Sequence, residues 1–263
     1  MKVGAGGTAR RFGGIERLYG AGSLARLGSA HACVVGLGGV GSWAAEVLAR
    51  SGVGRLTLID LDHVAESNLN RQVHALEATL GQAKGLAMQA RIADIHPACR
   101  VACVEEFVSP ENVAALIPAC DLVLDCIDQV KAKAALIAHC RRQRIPIVTT
   151  GGAGGRTDPT RVRIDDLART TQDALASKLR AKLRRDYGFP RDPKKKFGVP
   201  CVFSDEPIRR PQTLACDMDE AGLHGLSCAG YGSSMAVTAA FGLAAASWAL
   251  GILLRPKPEE TPS

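Results

Sequence analysis

The sequence predicts an α/β fold built on a doubly wound, mostly parallel sheet with helices on both of its faces. Short apolar runs, such as residues 31–36 (HACVVG) and 55–60 (RLTLID), have the length of buried strands. They alternate with longer stretches in which apolar residues recur at helical spacing, an order typical of parallel sheets. A glycine-rich turn, residues 36–41 (GLGGVG), joins the first strand to the first helix. This combination is typical of Rossmann-like folds.

The other elements follow in chain order. A helix is predicted after the turn at residues 42–52, and another at Lys84–Ile95, where His96 and Pro97 end it. The alternation then continues with a strand at residues 100–105, a strand at 121–126, a helix at 131–144 and a strand at 145–150.

Beyond residue 155 the alternation stops. Residues 167–187 have helical spacing and are strongly basic, and residues 202–226 show little periodicity, which predicts a long connection. We expect a single domain over residues 1–263. Its parts are a core at residues 10–170, a basic helical and loop insert with a crossover loop at 171–225, and a closing apolar helix at 226–255.

The composition is that of a folded protein. Hydrophobic residues make up 46% of the 263, which allows a sizeable core. The formal net charge of +7 is compatible with a polyanionic partner but does not require one. The nine cysteines form no CxxC pair, so we expect no zinc site. The N-terminal residues lack the apolar stretch of a secretory signal, so the cytoplasm is the expected location.

One apolar segment also bears on location. Residues 235–254 contain no charged side chain, and Arg255 and Lys257 follow them. The segment is long enough to cross a bilayer, but its many Ala, Gly and Ser residues equally suit a helix packed inside the domain. We expect a buried or interfacial helix, which leaves peripheral membrane association open.

The glycine turn predicts a nucleotide site. Gly36, Gly38 and Gly41 form a GxGxxG motif between a strand and a helix, where backbone N–H groups can approach phosphates. Asp60 ends the next strand, where a carboxylate can accept hydrogen bonds from ribose hydroxyls. These features alone suit an NAD-dependent dehydrogenase as well as an ATP-dependent enzyme.

Two cations and a carboxylate favour ATP. Arg71 ends the stretch SNLNR, Lys84 ends GQAK, and Asp128 ends DCID just past a predicted strand. A triphosphate carries about four negative charges, and its chemistry calls for lysine, arginine and a metal ion. Asp128 could hold Mg²⁺ through its oxygens. If these loops share one edge of the sheet, the three side chains meet around the phosphates.

These stretches resemble the adenylation domain of the ubiquitin-activating-enzyme-like superfamily, which activates a carboxylate as an acyl-adenylate on a homodimer. The resemblance runs from GLGGVG through SNLNRQ and GQAK to DCID. It implies that Gly39 contacts the nucleotide and Asp60 the ribose, and that Asp128 holds magnesium. Phosphate binding is implied for three further residues: Asn68, Arg71 and Lys84. An N-terminal arginine is implied to reach the partner subunit's site, with Arg17 the first candidate and Arg11 the second.

Within that superfamily, the chain most resembles the tRNA threonylcarbamoyladenosine dehydratases. The stretches RFGGIERLYG, KAALIAHCRRQRIPIVTTGGAGGRTDPT and CVFSDEP match this family, and the likeness is weakest at residues 213–227. It implies ATP-dependent cyclisation of N6-threonylcarbamoyladenosine in tRNA through a carboxyl-adenylate. It also admits a cysteine desulfurase or sulfur-acceptor system as a partner. Two alternatives remain: adenylation of a sulfur-carrier or ubiquitin-like protein C-terminus, and an NAD-dependent dehydrogenase.

Two features of the C-terminal half allow two interpretations each. Cys201 lies in the loop-like stretch GVPCVFSDEP, where related activators use a thiol for acyl transfer, but a packed thiol is the alternative. The basic insert either binds tRNA phosphates or is a solvated helix face. Tyr187 and Phe189 could stack on an unpaired base or pack internally. The residues expected to contact tRNA are Arg184, Arg185, Lys194, Lys195 and Lys196.

Overall fold

Seven strands form one sheet in the computed structural model, which describes residues 5–209 and 231–255. The spatial order is β3-β2-β1-β4-β5-β7-β6, and every neighbouring pair is parallel except β6 and β7. The strands are β1 (His31–Val35), β2 (Arg55–Ile59), β3 (Arg100–Val104), β4 (Leu122–Asp125), β5 (Ile147–Thr150), β6 (Val162–Asp166) and β7 (Pro200–Ser204).

Helices cover both faces of this sheet. On one face α3 and α8 pack against each other, with α4 beside α3; on the other, α6 packs against α7 and α5. The helices are α1 (Ala5–Tyr19), α2 (Ser23–Ser29), α3 (Gly41–Arg50), α4 (Lys84–Ile95), α5 (Val113–Leu116), α6 (Val130–Gln143), α7 (Ala174–Asp186) and α8 (Met235–Leu253). The predicted α/β, mostly parallel, Rossmann-like class is confirmed.

The strand sequences explain why both faces are covered. All five residues of β1 are buried, since alternate side chains point into two different cores. Ala32 and Val34 join the core beneath α3 and α8, whereas Cys33 and Val35 join the core beneath α6 and α7. A strand buried on both faces is therefore a continuous apolar run, which is the pattern that the sequence displays.

The C-terminal half differs from the prediction in two places. Residues 202–204 belong to β7 rather than to a long connection, and residues 210–226 of that predicted connection lie outside the described residues. The basic helix begins at Ala174, because the Asp173 side chain caps it by accepting from the backbone N–H of Ala176 at 2.8 Å. Residues 167–169 form a separate 3₁₀ turn.

Helix α8 is the apolar segment of the sequence, and it packs into the core. It has the length and composition to cross a membrane, yet more than half of its most apolar window is buried within the protein. Val237, Phe241 and Ala245 are completely buried in the core that α8 shares with the sheet and α3, whereas Leu243 and Trp248 are exposed. This packing is the buried arrangement expected from its small residues.

Candidate active site

A pocket of about 750 Å³ opens at the carboxyl edge of the sheet. Its walls come from the loops after β1, β2, β4 and β5 and from the start of α4, which is where open α/β sheets bind ligands. The predicted site residues that line it are Gly36, Gly38, Gly39, Asp60, Asn68, Arg71, Lys84 and Asp128.

The glycine turn forms one wall, and close packing explains two of its glycines. Gly36 has φ +88°, and its N–H donates to the carbonyl of Ile59 at 2.9 Å. A Cβ on Gly41 would lie 1.8 Å from the Gly36 carbonyl oxygen. Gly41 is therefore required for close turn–helix packing and does not line the pocket, contrary to its expected role in nucleotide contact. Gly39 lines the pocket beside Arg71.

Asp60 is held rigidly between two backbone donors. One carboxylate oxygen accepts from Leu37 N–H at 2.5 Å and the other from Asp62 N–H at 2.9 Å. Burial raises the pKa of Asp60, while the nearby Lys84 ammonium and these two hydrogen bonds oppose that shift. Each carboxylate oxygen has a further lone pair, so the group can still accept from ribose hydroxyls.

The two phosphate-binding candidates enter the pocket from different loops. Lys84 is the first residue of α4, its side chain is almost completely buried, and its Nζ lies 2.7 Å from Asp62 Oδ2. Arg71 donates to the Ser67 carbonyl at 2.5 Å and to Asn70 Oδ1 at 2.9 Å. Both cations face one cavity, so their charges add where an anion would bind.

Asp128 is exposed at the mouth of the pocket, and a buried ion pair supports its loop. Lys133 Nζ lies 2.8 Å from Asp125 Oδ2, and both side chains are completely buried. Thr149 donates to the same Asp125 oxygen at 2.6 Å, and Ile127 N–H donates to the other at 3.3 Å. Sequence reasoning missed this pair; its signal is a lysine inside an otherwise apolar helix face.

The far half of the pocket lies above β5, where sequence reasoning placed no candidate. Asp173 binds the Gly152 N–H at 3.0 Å while it caps α7, and Arg156 lies 3.7 Å from it. The Arg156 Nε atom is buried without a hydrogen-bond partner among the described residues. Tyr231, an exposed aromatic, also lines this half of the cavity. The pocket therefore extends beyond its cationic end, which Arg71 and Lys84 form, to the loop after β5.

Several predicted residues lie elsewhere. Arg17 is exposed on α1, and Arg11 donates to the Ile95 carbonyl at 3.0 Å; neither lines this pocket. The expected role of an arginine that acts on another subunit stays a prediction. In the described part of the chain, no cluster of three metal-ligating side chains occurs.

Cys201 lies in β7 and is completely buried, so the prediction of a loop position was wrong. Burial, followed by the nearby carboxylate of Asp173, raises the pKa of the Cys201 thiol well above its usual range. Its Sγ lies 3.6 Å from the Val202 carbonyl oxygen, and it does not line the pocket. The structure favours the packed-thiol alternative over acyl transfer.

The expected tRNA-binding residues lie away from the pocket. Lys194, Lys195 and Lys196 are exposed, and Arg185 pairs with Asp186 at 2.7 Å. Arg184 is half-buried, and its guanidinium carbon lies 5.2 Å from the centre of the Phe197 ring. The insert is therefore a basic surface that remains apart from the phosphate site.

Comparison with known proteins identifies the family. The ThiF family profile matches residues 13–262. A tRNA threonylcarbamoyladenosine dehydratase of Escherichia coli is 52% identical over 247 residues, covering 92% of both chains. This chain belongs to the ThiF family, within its tRNA threonylcarbamoyladenosine dehydratases. The predicted family membership is confirmed.

Solved structures of that family have the same fold. The chain is similar to the crystal structure of E. coli tRNA N6-threonylcarbamoyladenosine dehydratase in complex with ATP, with a TM-score of 0.86, 47% identity and 97% coverage of both chains. The AMP complex of the same E. coli enzyme gives a TM-score of 0.86 and 48% identity. At 97% coverage, the structural match includes both the sheet and the residues that line the pocket.

Proposed function

We propose that this protein is an ATP-dependent tRNA threonylcarbamoyladenosine dehydratase that works through a carboxyl-adenylate. The observation that carries the proposal is that Arg71, Lys84 and Asp128 line one pocket together with the glycine turn. Two cations and a carboxylate around one cavity suit a triphosphate better than the two phosphates of NAD. Family membership and the ATP complex of the E. coli relative support the same conclusion.

The cationic end of the pocket would bind ATP. Asp60 accepts from the ribose hydroxyls, and Asn68, Arg71 and Lys84 donate to phosphate oxygens. The apolar side chains of Phe107 and Ile127 give the adenine a non-polar wall. Because the cations are held by fixed partners before ATP arrives, little reorganisation is needed when charge develops at the α-phosphate.

The residues present also fit a magnesium ion. Magnesium in phosphate sites takes one or two carboxylates together with phosphate oxygens and waters, and the exposed carboxylate of Asp128 at the pocket mouth suits this pattern. The ion, when bound, would neutralise charge on the leaving pyrophosphate. The Asp125–Lys133 pair keeps the loop that presents Asp128 in place.

The far half of the pocket would receive the modified nucleoside. A carboxylate oxygen of the threonyl group attacks the α-phosphorus, a new O–P bond forms, and pyrophosphate leaves. The neighbouring carbamoyl group then attacks the activated carbonyl carbon and releases its N–H proton to solvent, and AMP leaves with the former carboxylate oxygen, so that relative to its carboxylic acid form the nucleoside has lost one water. The second step is intramolecular, with an effective molarity on the order of 10⁵ M or more when well oriented. The protein therefore needs no thiol to carry the acyl group.

The same proposal extends to the tRNA substrate and to the oligomeric state of the protein. Arg184, Arg185, Lys194, Lys195 and Lys196 contact tRNA phosphates, which supply sequence-independent affinity. The working unit is a homodimer in which Arg17 reaches the partner's pocket. A sulfur-acceptor protein, if recruited by the same assembly, docks outside the pocket. The protein acts in the cytoplasm, where its tRNA substrate is found, with α8 as a core helix.

One reaction tests the proposal. The pure protein is mixed with ATP, Mg²⁺ and tRNA that carries N6-threonylcarbamoyladenosine, and the products are AMP and a nucleoside lighter by one water. Unmodified tRNA is the control and should give no AMP. If pyrophosphate exchange depended instead on a small carrier protein, the sulfur-carrier alternative would be correct. Stabilisation by NAD but not ATP would indicate the dehydrogenase.

A further inference from the structure

The carboxyl-terminal ends of α6 and α7 lie at the end of the sheet opposite the pocket. Helix α6 starts just after Asp128 and ends just before β5 begins. Helix α7 starts at the pocket, because Asp173 both caps it and lines the cavity. The two helices pack against each other. Since α7 has 13 residues, its far end lies about 20 Å from the pocket.

Three arginines that close α6 extend the basic insert. The side chain of Arg141 lies against Gly198, where a Cβ would come within 2.9 Å of its guanidinium. Gly198 follows Phe197 and the exposed lysine run, so the two elements form one continuous surface. We call it the basic end surface, and its members are Arg141, Arg142, Arg144, Arg184, Arg185, Arg191, Lys194, Lys195 and Lys196.

Most of this positive charge is uncompensated. Asp186 pairs with Lys182 and Arg185, both at 2.7 Å, and Asp192 accepts from the backbone N–H of Lys194. Within residues 5–209 and 231–255, no other ion pair involves a member of the basic end surface. Clustered, unpaired cations at an exposed helix end attract a polyanion.

The aromatic side chains of this region are occupied by packing. Tyr187 and Phe189 pack against the core beneath α6 and α7, and the ring centres of Phe189 and Phe197 are 5.1 Å apart. The Arg184 guanidinium also lies over the Phe197 ring. Proteins that hold unpaired bases stack them on free aromatic faces. The structure thus favours packing over base stacking for Tyr187 and Phe189.

We propose that the basic end surface binds the phosphate backbone of a double-stranded RNA stem, and that Arg142 and Arg144 belong to this contact. The inference rests on the proposed function, in which a loop nucleoside enters the pocket. With a nucleoside in the pocket, we place the paired stem beside α7, where Ser177, Lys178 and Ala181 are exposed. The stem then meets the basic end surface about 20 Å away. Paired RNA is recognised by shape and backbone rather than by stacking.

The test uses the full chain and two unmodified RNA probes, a hairpin and an unpaired strand of equal length. The variant is Arg142→Gln with Arg144→Asn, because Arg144 has φ +57°, which asparagine tolerates. We expect hairpin affinity to fall about 10-fold and the slope of log K against log salt to become shallower by about 1 to 2. The matched control, Arg55→Gln with Arg100→Asn, removes two exposed arginines from the β2–β3 side.

The outcomes of this test distinguish failure of the inference from failure of the proposed function. Unchanged hairpin affinity in the variant, an equal loss in the control, or tighter binding of the unpaired strand by the wild type would each overturn the inference. At saturating modified tRNA, the variant should form AMP at the wild-type rate, with a raised KM. If the wild type binds the hairpin but forms no AMP with modified tRNA, the proposed function is contradicted, whereas the inference about the basic end surface still holds.

Discussion

Lys84 Nζ and Asp62 Oδ2 are 2.7 Å apart, although the Lys84 side chain is 7% exposed and that of Asp62 is 54% exposed. The carboxylate therefore approaches from the solvent side and fixes an ammonium group that faces the pocket. A lysine held in this way is oriented before a phosphate arrives, which reduces the entropy lost on binding. Asp62 is thus a positioning residue for Lys84, one that sequence motifs alone did not reveal.

The first prediction separates these two roles. Lys84→Ala should lower the rate of AMP formation about 100-fold, the usual loss when one donor to developing charge is removed. Asp62→Asn keeps the lysine and should mainly raise the KM for ATP, with a change in kcat below about 10-fold. Lys131→Ala, an exposed lysine of α6 that does not line the pocket, is the control. Equal losses in Lys84→Ala and Lys131→Ala would contradict the assignment.

Asp128 gives a second prediction, on magnesium. Asp128→Asn keeps the size of the side chain but removes its charge, so the magnesium concentration that gives half-maximal activity should rise at least about 10-fold. ATP binding measured without magnesium should not weaken and should become somewhat tighter, because the Asp128 carboxylate repels the phosphates when no ion lies between them. Isothermal titration with and without the ion distinguishes the two effects. A variant with the wild-type magnesium requirement would exclude Asp128 as a ligand.

A third prediction concerns Arg17, which lies outside the pocket of its own chain. Arg17→Ala and Lys84→Ala homodimers should each be inactive. When the two variants are mixed and allowed to exchange subunits, mixed dimers contain one intact site, so about a quarter of wild-type activity should return. Action within one chain predicts no recovery at all. The same mixing experiment is repeated with Arg11→Ala, the second candidate. In the wild type the Arg11 guanidinium already donates to backbone carbonyls at the end of α4.

The buried thiol of Cys201 gives a fourth prediction. Cys201→Ser should retain at least a tenth of the cyclisation activity, because the nucleoside supplies its own nucleophile. Cys201→Ala tests whether any loss arises from packing instead, and Cys33→Ala, another completely buried thiol, is the matched control. AMP formation under saturating tRNA is the measurement. Loss beyond 10-fold in both Cys201 variants, with Cys33→Ala active, would restore the thiol to the mechanism.

His74 gives a fifth prediction, on pH. Burial, and after it the nearby cations Lys84 and Arg91, lowers the pKa of His74 to about 4. Because the unfolded chain binds this proton near pH 6.5 and the folded chain only near 4, stability present above pH 6.5 is lost as the pH falls. His74 should thus remove about 2 kcal/mol between pH 7 and pH 5.

Urea unfolding at the two pH values measures that loss. In His74→Leu the fall in unfolding free energy between pH 7 and pH 5 should be smaller by about 2 kcal/mol, since leucine takes up no proton. His139→Leu is the comparison, because the pKa of His139 is also lowered by burial. An unchanged pH dependence in His74→Leu would show that His74 is not the group responsible.

The sequence predicted the parallel half of the fold well because its signals are local. A five-residue apolar run such as β1 is buried on both faces, and Gly36 and Gly41 mark the turn that follows it. The order of these elements also placed Arg71, Lys84 and Asp128 at one edge, since carboxyl ends of parallel strands share an edge. No long-range information was needed for that step.

What the sequence could not predict depends on contacts between distant residues. Strand β7 is as long as β1, but it begins at a proline beyond the strand–helix alternation and pairs with both β5 and β6, so Cys201 was expected in a loop. The Asp125–Lys133 ion pair and the Arg156–Asp173 contact join separate elements. A window along the chain shows at most that Lys133 interrupts an apolar helix face; it does not show which carboxylate the lysine meets. The motif that contains Gly41 was identified correctly, but Gly41 serves close packing rather than nucleotide contact. Only the structure shows what a Cβ at this position would meet.

The length of α7 has a consequence for how such enzymes can diverge. Its first turn is tied to the Gly152 loop through Asp173, while its last turn carries the basic end surface. Evolution can therefore lengthen, shorten or recharge the insert to suit another RNA without touching the edge where bonds are made. If the basic end surface binds RNA as proposed, RNA contact and chemistry lie at opposite ends of α7, and each can change without the other.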